Sequence, residues 1–193
     1  ILVGLPLSQV AQAQYEIRLP SGSGESIAES GPSFIAEGST NTSVLSAVPY
    51  LTSSTSHGIV TSSSDLNGSY AGWQVFSGST ADNWLTGGGA TTGWIAYEFQ
   101  APIVINKYGI MGHSDGGDST MIDSFSFEGS SDGSNWVTLG TEISAGLSKD
   151  QINYFSVVNA DLYSHYRVNV TANAGGATYV GTNIISFIEA QPI

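Results

Sequence analysis

The chain has 193 residues, with sixteen carboxylates against four lysines and arginines, a formal charge of -12 and no cysteine. That charge excludes nucleic acid and anionic membrane surfaces as partners, because any polyanion would be repelled. The missing thiols exclude disulfide staples, thiolate metal sites and a cysteine nucleophile.

Hydrophobic residues make up 40% of the chain and charged ones 10%, with Gly, Ser and Thr between short apolar runs, which is the composition of an all-β protein. The length suits one well-packed domain plus an appendage. No run of eighteen apolar residues is present, so membrane insertion through an apolar helix is not expected.

Residues 1–14 can be read as the tail of a secretory signal, since Ala11-Gln12-Ala13 has the small-x-small form that precedes cleavage. The absence of a basic leading region favours a start that belongs to the mature protein. From Gln9 to Ile17 the pattern alternates, with Ala11, Ala13, Tyr15 and Ile17 on one face, as in a strand. A lone strand followed by the polar segment Ser21 to Ser26 cannot bury its apolar face by itself. Residues 1–46 are therefore expected to be an extended arm for anchoring and oligomerisation, and residues 47–193 the folded domain.

After Tyr50, apolar runs of five to eight residues alternate with Gly, Asn, Asp and Ser clusters, as in a sandwich or barrel. Ile95, Tyr97 and Phe99 share one strand face, and the alternation repeats at Ile103 and Ile105, Tyr108 and Ile110, Phe125 and Phe127, and Val137 and Leu139. Further runs cover 152–158, 166–170 and 184–188. About eight strands and no useful amphipathic helix predict a two-sheet jelly roll.

Several segments, taken in order, resemble the discoidin or coagulation-factor type C domains, a branch of the galactose-binding-like jelly rolls. Residues 51–78 resemble the entry strand and first loop, with Val75-Phe76-Ser77-Gly78 in place of an Ala-Phe-Asp-Gly turn. Gly93-Trp94-Ile95-Ala96-Tyr97-Glu98-Phe99 is similar to the "W-I-x-Y-D-F" strand. Residues 123–140, DSFSFEGSSDGSNWVTLG, resemble the most specific segment, and Tyr166 to Thr171 its "Y-R-L-x-V-T" strand. In 131–134, Asp132-Gly133 supplies hairpin turn chemistry. The start, Ser8-Gln9-Val10-Ala11, together with this variant of the domain, also resembles tailed-phage virion proteins.

The resemblance implies a discoidin-like jelly-roll sandwich whose ligands meet the loops at one end, here around 69–73, 87–92, 113–119 and 173–179. His113, Asp115 and Asp118 share one of these loops and could donate to and accept from sugar hydroxyls, the plain alternative being a solvated turn. Trp73, Trp84, Trp94 and Trp136 fall on framework positions of the family. Trp84, beside the glycines of 87–89, is the one most open to stacking on a sugar, and Tyr179 joins it as a candidate. A zinc site from His113, Asp115 and Asp118 is disfavoured because His57 and His165 have no ligand-like spacing to it.

The family often holds calcium near its first loop. Here Ser77 replaces the turn's Asp, so such a site would depend on Asp82, Ser77 and Glu189 with nearby carbonyls. No Ser/His/acid motif and no phosphate loop is recognisable, so an enzyme is not expected. The expected function is a virion-associated adhesion or decoration protein, homo-oligomeric with a trimer as first candidate. Its arm would hold other virion proteins, and its loops would face host-surface glycans. A purely structural virion or filament subunit and a secreted bacterial carbohydrate-binding module are the alternatives.

Overall fold

A computed structural model describes residues 46–113 and 118–190. The expected arm, apart from Ser46, lies outside the described residues, as does Asp115. The strands are β1 (Ile59–Ser62), β2 (Trp84–Leu85), β3 (Gly93–Ile103), β4 (Ile105–Gly112), β5 (Ile122–Ser130), β6 (Val137–Glu142), β7 (Asn153–Ser156), β8 (Tyr163–Asn173) and β9 (Gly181–Glu189). They form a five-stranded sheet in the order β1-β3-β8-β5-β6 and a four-stranded sheet in the order β2-β9-β4-β7. Every pairing between them is antiparallel. This is the all-β jelly-roll sandwich expected from the alternating runs, with the short edge strand β2 taking the count past eight.

The two-residue period decides what each sheet buries. Ile95, Tyr97, Phe125, Phe127, Tyr166, Val168 and Val170 point inward from the five-stranded sheet, against Ile105, Tyr108, Ile110, Ile185 and Phe187 of the other. Tyr108 stacks on Phe127 across the core with centroids 4.3 Å apart, and Phe127 lies nearly parallel to Tyr166 at 5.6 Å. Each such ring contributes roughly 1.5–3 kcal/mol by leaving water. Burial pushes the Tyr97 phenol up to about 12, and it raises Tyr108 further, with Glu142 adding to the effect. One expected inward residue is not inward: Val137 is 50% exposed, because the strand enters the sheet's edge there and only Leu139 reaches the core.

Between β3 and β4 the chain leaves one sheet for the other through the single residue Val104, a corner that interrupts the ladder. The Tyr166 hydroxyl satisfies it, donating to the Ile103 carbonyl (2.7 Å) and accepting from the Ile105 amide (3.1 Å). Both ends of the described domain lie toward this corner, since the Ala47 amide donates to Phe187 O and the Ala190 amide to Val104 O.

The hairpin joining β5 and β6 turns as its sequence indicates, with Gly133 at φ 68°. Asp132 accepts from the amides of Asn135 (2.7 Å) and Ser134 (2.8 Å) and from the Asn135 carboxamide (2.7 Å). These donors, the Asn135 amide first, hold its carboxyl well below the usual carboxylate range.

Candidate functional site

Strand register alone gathers four loops at the end opposite the Val104 corner. Ser62 pairs with Ile95 near the start of β3, and Gly93 pairs with Val170 near the end of β8. Ile122 pairs with Asn173, and Gly112 with Thr182 at the start of β9. The segments 63–70, 86–92, 113–121 and 174–180 therefore share one end, and they include or overlap the loops expected to carry binding.

Short polar side chains fasten these loops to the sandwich. Asp65 accepts from Ser62 Oγ (2.7 Å), from the Gly72 amide (3.2 Å) and from the Trp84 indole (3.1 Å). Thr86 accepts from the Val180 amide (3.0 Å) and donates to the Ala90 carbonyl. Asn173 spans the β8–β9 loop, donating to the carbonyls of Ala177 (3.1 Å) and Tyr179 (2.9 Å). The Ala174 amide donates to Met121 O, tying that loop to the one after β4. Loops held this way present a fixed surface, which is how rigid sandwiches carry recognition.

The sequence candidates separate into those that reach this surface and those that build it. Asp118 is exposed at the start of the short 3₁₀ turn Asp118–Thr120, and Tyr179 is half-buried in the 174–180 loop. His113 is 1% exposed, with Nδ1 3.0 Å from Thr120 Oγ1, so it anchors the turn rather than facing a ligand. Trp84 has no exposed surface and its indole N–H also donates to Ser64 O (2.9 Å), so it is core, and the stacking role considered for it is not available. The proximity to glycines at 87–89 misled because β2 turns this side chain inward beneath the loop. Asp65, the centre of the fastening, was not singled out from sequence; its signal is an Asx-type turn residue just after a strand.

The three residues named for calcium are not brought together. Ser77 Oγ accepts from the Ser79 amide (3.2 Å). Asp82 sits beside the start of β2, where Thr80 O accepts from Asn183 Nδ2 (2.6 Å). Glu189 lies six residues farther along β9, a distance of about 20 Å at the rise of a strand. Among the described residues no group of three His, Cys, Asp or Glu is placed to hold a metal ion. The calcium set therefore does not fit.

The architecture defines the class: an antiparallel jelly-roll sandwich that gathers its longer loops at one end and its chain ends toward the other. Residues 59–182 match the F5/8 type C domain model, and the chain belongs to that family. Among solved structures it is similar to an F5/8 type C domain from Bacteroides fragilis, at 17% identity over 76% of this chain and 99% of that one, with a TM-score of 0.60. It is also similar to a chitosan-binding module, solved with chitotriose, from a chitosanase/glucanase of Paenibacillus sp. IK-5 (17% identity, 68% and 96% covered, TM-score 0.58). A third likeness is to a family 32 carbohydrate-binding module from C. perfringens, solved with galactose (12% identity, 68% and 93% covered, TM-score 0.55). At these identities the likeness establishes the fold. No curated protein sequence matches the chain.

Proposed function

We propose that the domain is a non-catalytic, carbohydrate-binding module that meets a glycan with its loop end. The observation that carries this reading is the convergence of four fastened loops at one end of the sandwich, away from both ends of the described domain. Solved relatives of the same fold bind chitotriose and galactose, which supports a sugar as the ligand class. Asp118 offers hydrogen-bond acceptors and Tyr179 an aromatic ring with a hydroxyl, a pairing suited to a pyranose.

In its finer form the reading makes the chain a virion-associated adhesion or decoration protein, with residues 1–46 as its anchor and the loops toward host-surface glycans. The strand periodicity of residues 9–17 supports an arm that docks on a neighbouring copy. A secreted module, with the same segment as linker, is the alternative. Light scattering separates the two: the virion reading expects an oligomer that becomes monomeric when residues 1–45 are deleted, and two monomers would remove it.

The glycan reading is tested by applying the full chain to a glycan array beside Asp118→Ala and Tyr179→Ala. The expected result is binding to a defined sugar class, weakened roughly tenfold by Tyr179→Ala, in line with the loss of one aromatic and hydrogen-bonding contact. A wild-type chain that binds no glycan would overturn it.

A further inference from the structure

The outer face of the five-stranded sheet holds a second concentration of chemistry, far from the loops. Alternation turns Trp94, Ala96 and Glu98 of β3 outward, and register sets Ala96 beside Arg167 and Glu98 beside His165 of β8. Next in line, Glu128 of β5 pairs with Arg167. The β5–β6 hairpin then brings Trp136 over the Arg167 guanidinium at 4.2 Å from the ring centroid, with Trp94 on its other flank at 5.9 Å. These groups line an open cleft of about 280 Å³, floored by the small Ala96 between its larger neighbours.

The hydrogen-bonding within this cluster is unequal. Glu128 is saturated: it accepts from Ser126 Oγ (2.6 Å), Asn169 Nδ2 (3.2 Å) and Arg167 Nε. Arg167 contributes only Nε to that pair, so both of its terminal nitrogens are left without a partner among the described residues. The indole N–H groups of Trp94 and Trp136 likewise donate to no described residue, unlike that of Trp84. Glu98, whose side chain is 43% exposed, has only a long 3.6 Å contact to His165 Nε2. The ring of His165 is set by Ser164, whose hydroxyl donates to Ser131 O and therefore accepts from Nδ1 at 2.9 Å.

We infer that this cleft between Trp94, Trp136, Arg167 and Glu98 is a second binding site, for a neutral saccharide laid across the sheet. A planar donor fork, an acceptor carboxylate and two indoles within one cleft match the vicinal hydroxyls and apolar C–H faces of a pyranose. The volume falls at the small end of ligand pockets, which suits one or two sugar rings. The charge selects against acidic ligands: Glu128 compensates Arg167, leaving Glu98 and Asp132 negative on a chain of formal charge -12. A uronate or phosphate would be repelled from the site. The inference stands on the face's own geometry and does not require the loop end to bind sugar.

The test is a titration of the isotope-labelled full chain with chitotriose, cellotriose and maltotriose, and in separate arms with trigalacturonate and an aromatic-rich peptide, following the four indole N–H resonances. At least one neutral trisaccharide is expected to shift Trp94 and Trp136 saturably while the Trp84 signal stays fixed. Glu98→Gln weakens that binding roughly tenfold, as for loss of a charged hydrogen-bond acceptor. Ala96→Leu, which fills the floor and leaves the Trp136–Arg167 stack in place, abolishes it; an unmoved Trp84 signal certifies that both variants are folded. Trp94 and Trp136 signals unmoved by every neutral trisaccharide to on the order of 10 mM, weaker than any specific site of use, would overturn the inference. So would a response to trigalacturonate or the peptide alone. Shifts confined to the loops would remove this site and leave the loop-end reading intact, and shifts confined to the indoles would do the reverse.

Discussion

The loop end and the outer face of the five-stranded sheet are built on opposite terms. At the loop end, segments distant in sequence are assembled by register and pinned by small polar groups such as Asp65, Thr86 and Asn173, and few large side chains remain at the surface. On the sheet face, neighbours in the ladder place Trp94, Arg167, Glu128 and the adjacent Trp136 in contact, and the large side chains are the surface. Position is provided by backbone in the first case and by side chains in the second. Changes at the loop end should therefore alter shape with little loss of stability, whereas changes in or under the sheets should cost stability directly.

The largest effect tests the boundary between the two regions. Trp84 lies beneath the loops but inside the core, and Trp84→Ala should cost about 3–5 kcal/mol in denaturant unfolding, the range for truncating a buried large aromatic. A cost under about 1 kcal/mol would return it to the loop surface. Next is Glu128→Ala, which leaves Arg167 without its counter-ion on a largely covered face. Because the Arg167 side chain is still 18% exposed and flanked by indoles, the expected loss is roughly 2 kcal/mol, below that of a fully buried pair. Asn173→Ala should cost only about 1 kcal/mol, but it should speed amide exchange through 174–179 while leaving β8 protected, as expected of a loop tied by one side chain.

The smallest effects appear as pH dependence. The Asp132 carboxyl is held below its ordinary value, so its contribution to stability is complete above about pH 4 and is lost as pH falls through the folded value. The stability difference between the wild type and Asp132→Ala should be constant near neutrality and narrow in acid. Tyr97 behaves oppositely. Its neutral form is favoured by burial, so stability is complete below pH 10 and declines as pH rises toward about 12, which a tyrosinate absorbance titration would follow.

The sandwich was legible in sequence because burial on one face of a strand leaves a two-residue signature, as at Ile95, Tyr97 and Phe99. The turn at Asp132-Gly133 was legible for a local reason, its chemistry lying within four residues. The loop cluster was placed correctly only as a set of segments. His113 and Asp118 read alike as polar loop residues, and nothing local distinguishes the one that turns inward to Thr120 from the one left in solvent. Trp84 and Trp94 posed the same difficulty in reverse: both occupy framework positions, yet one is core and the other flanks a cleft. The calcium set failed because closeness to one loop in a family pattern carries no information about the length of β9 separating Asn183 from Glu189.

The most direct measurement of the central claim is a backbone amide shift map of the full chain titrated with the glycan selected on the array. The account predicts that residues 68–70, 87–92, 118–119 and 174–179 move together along one saturation curve. A bound glycan that leaves all four segments unmoved would contradict it.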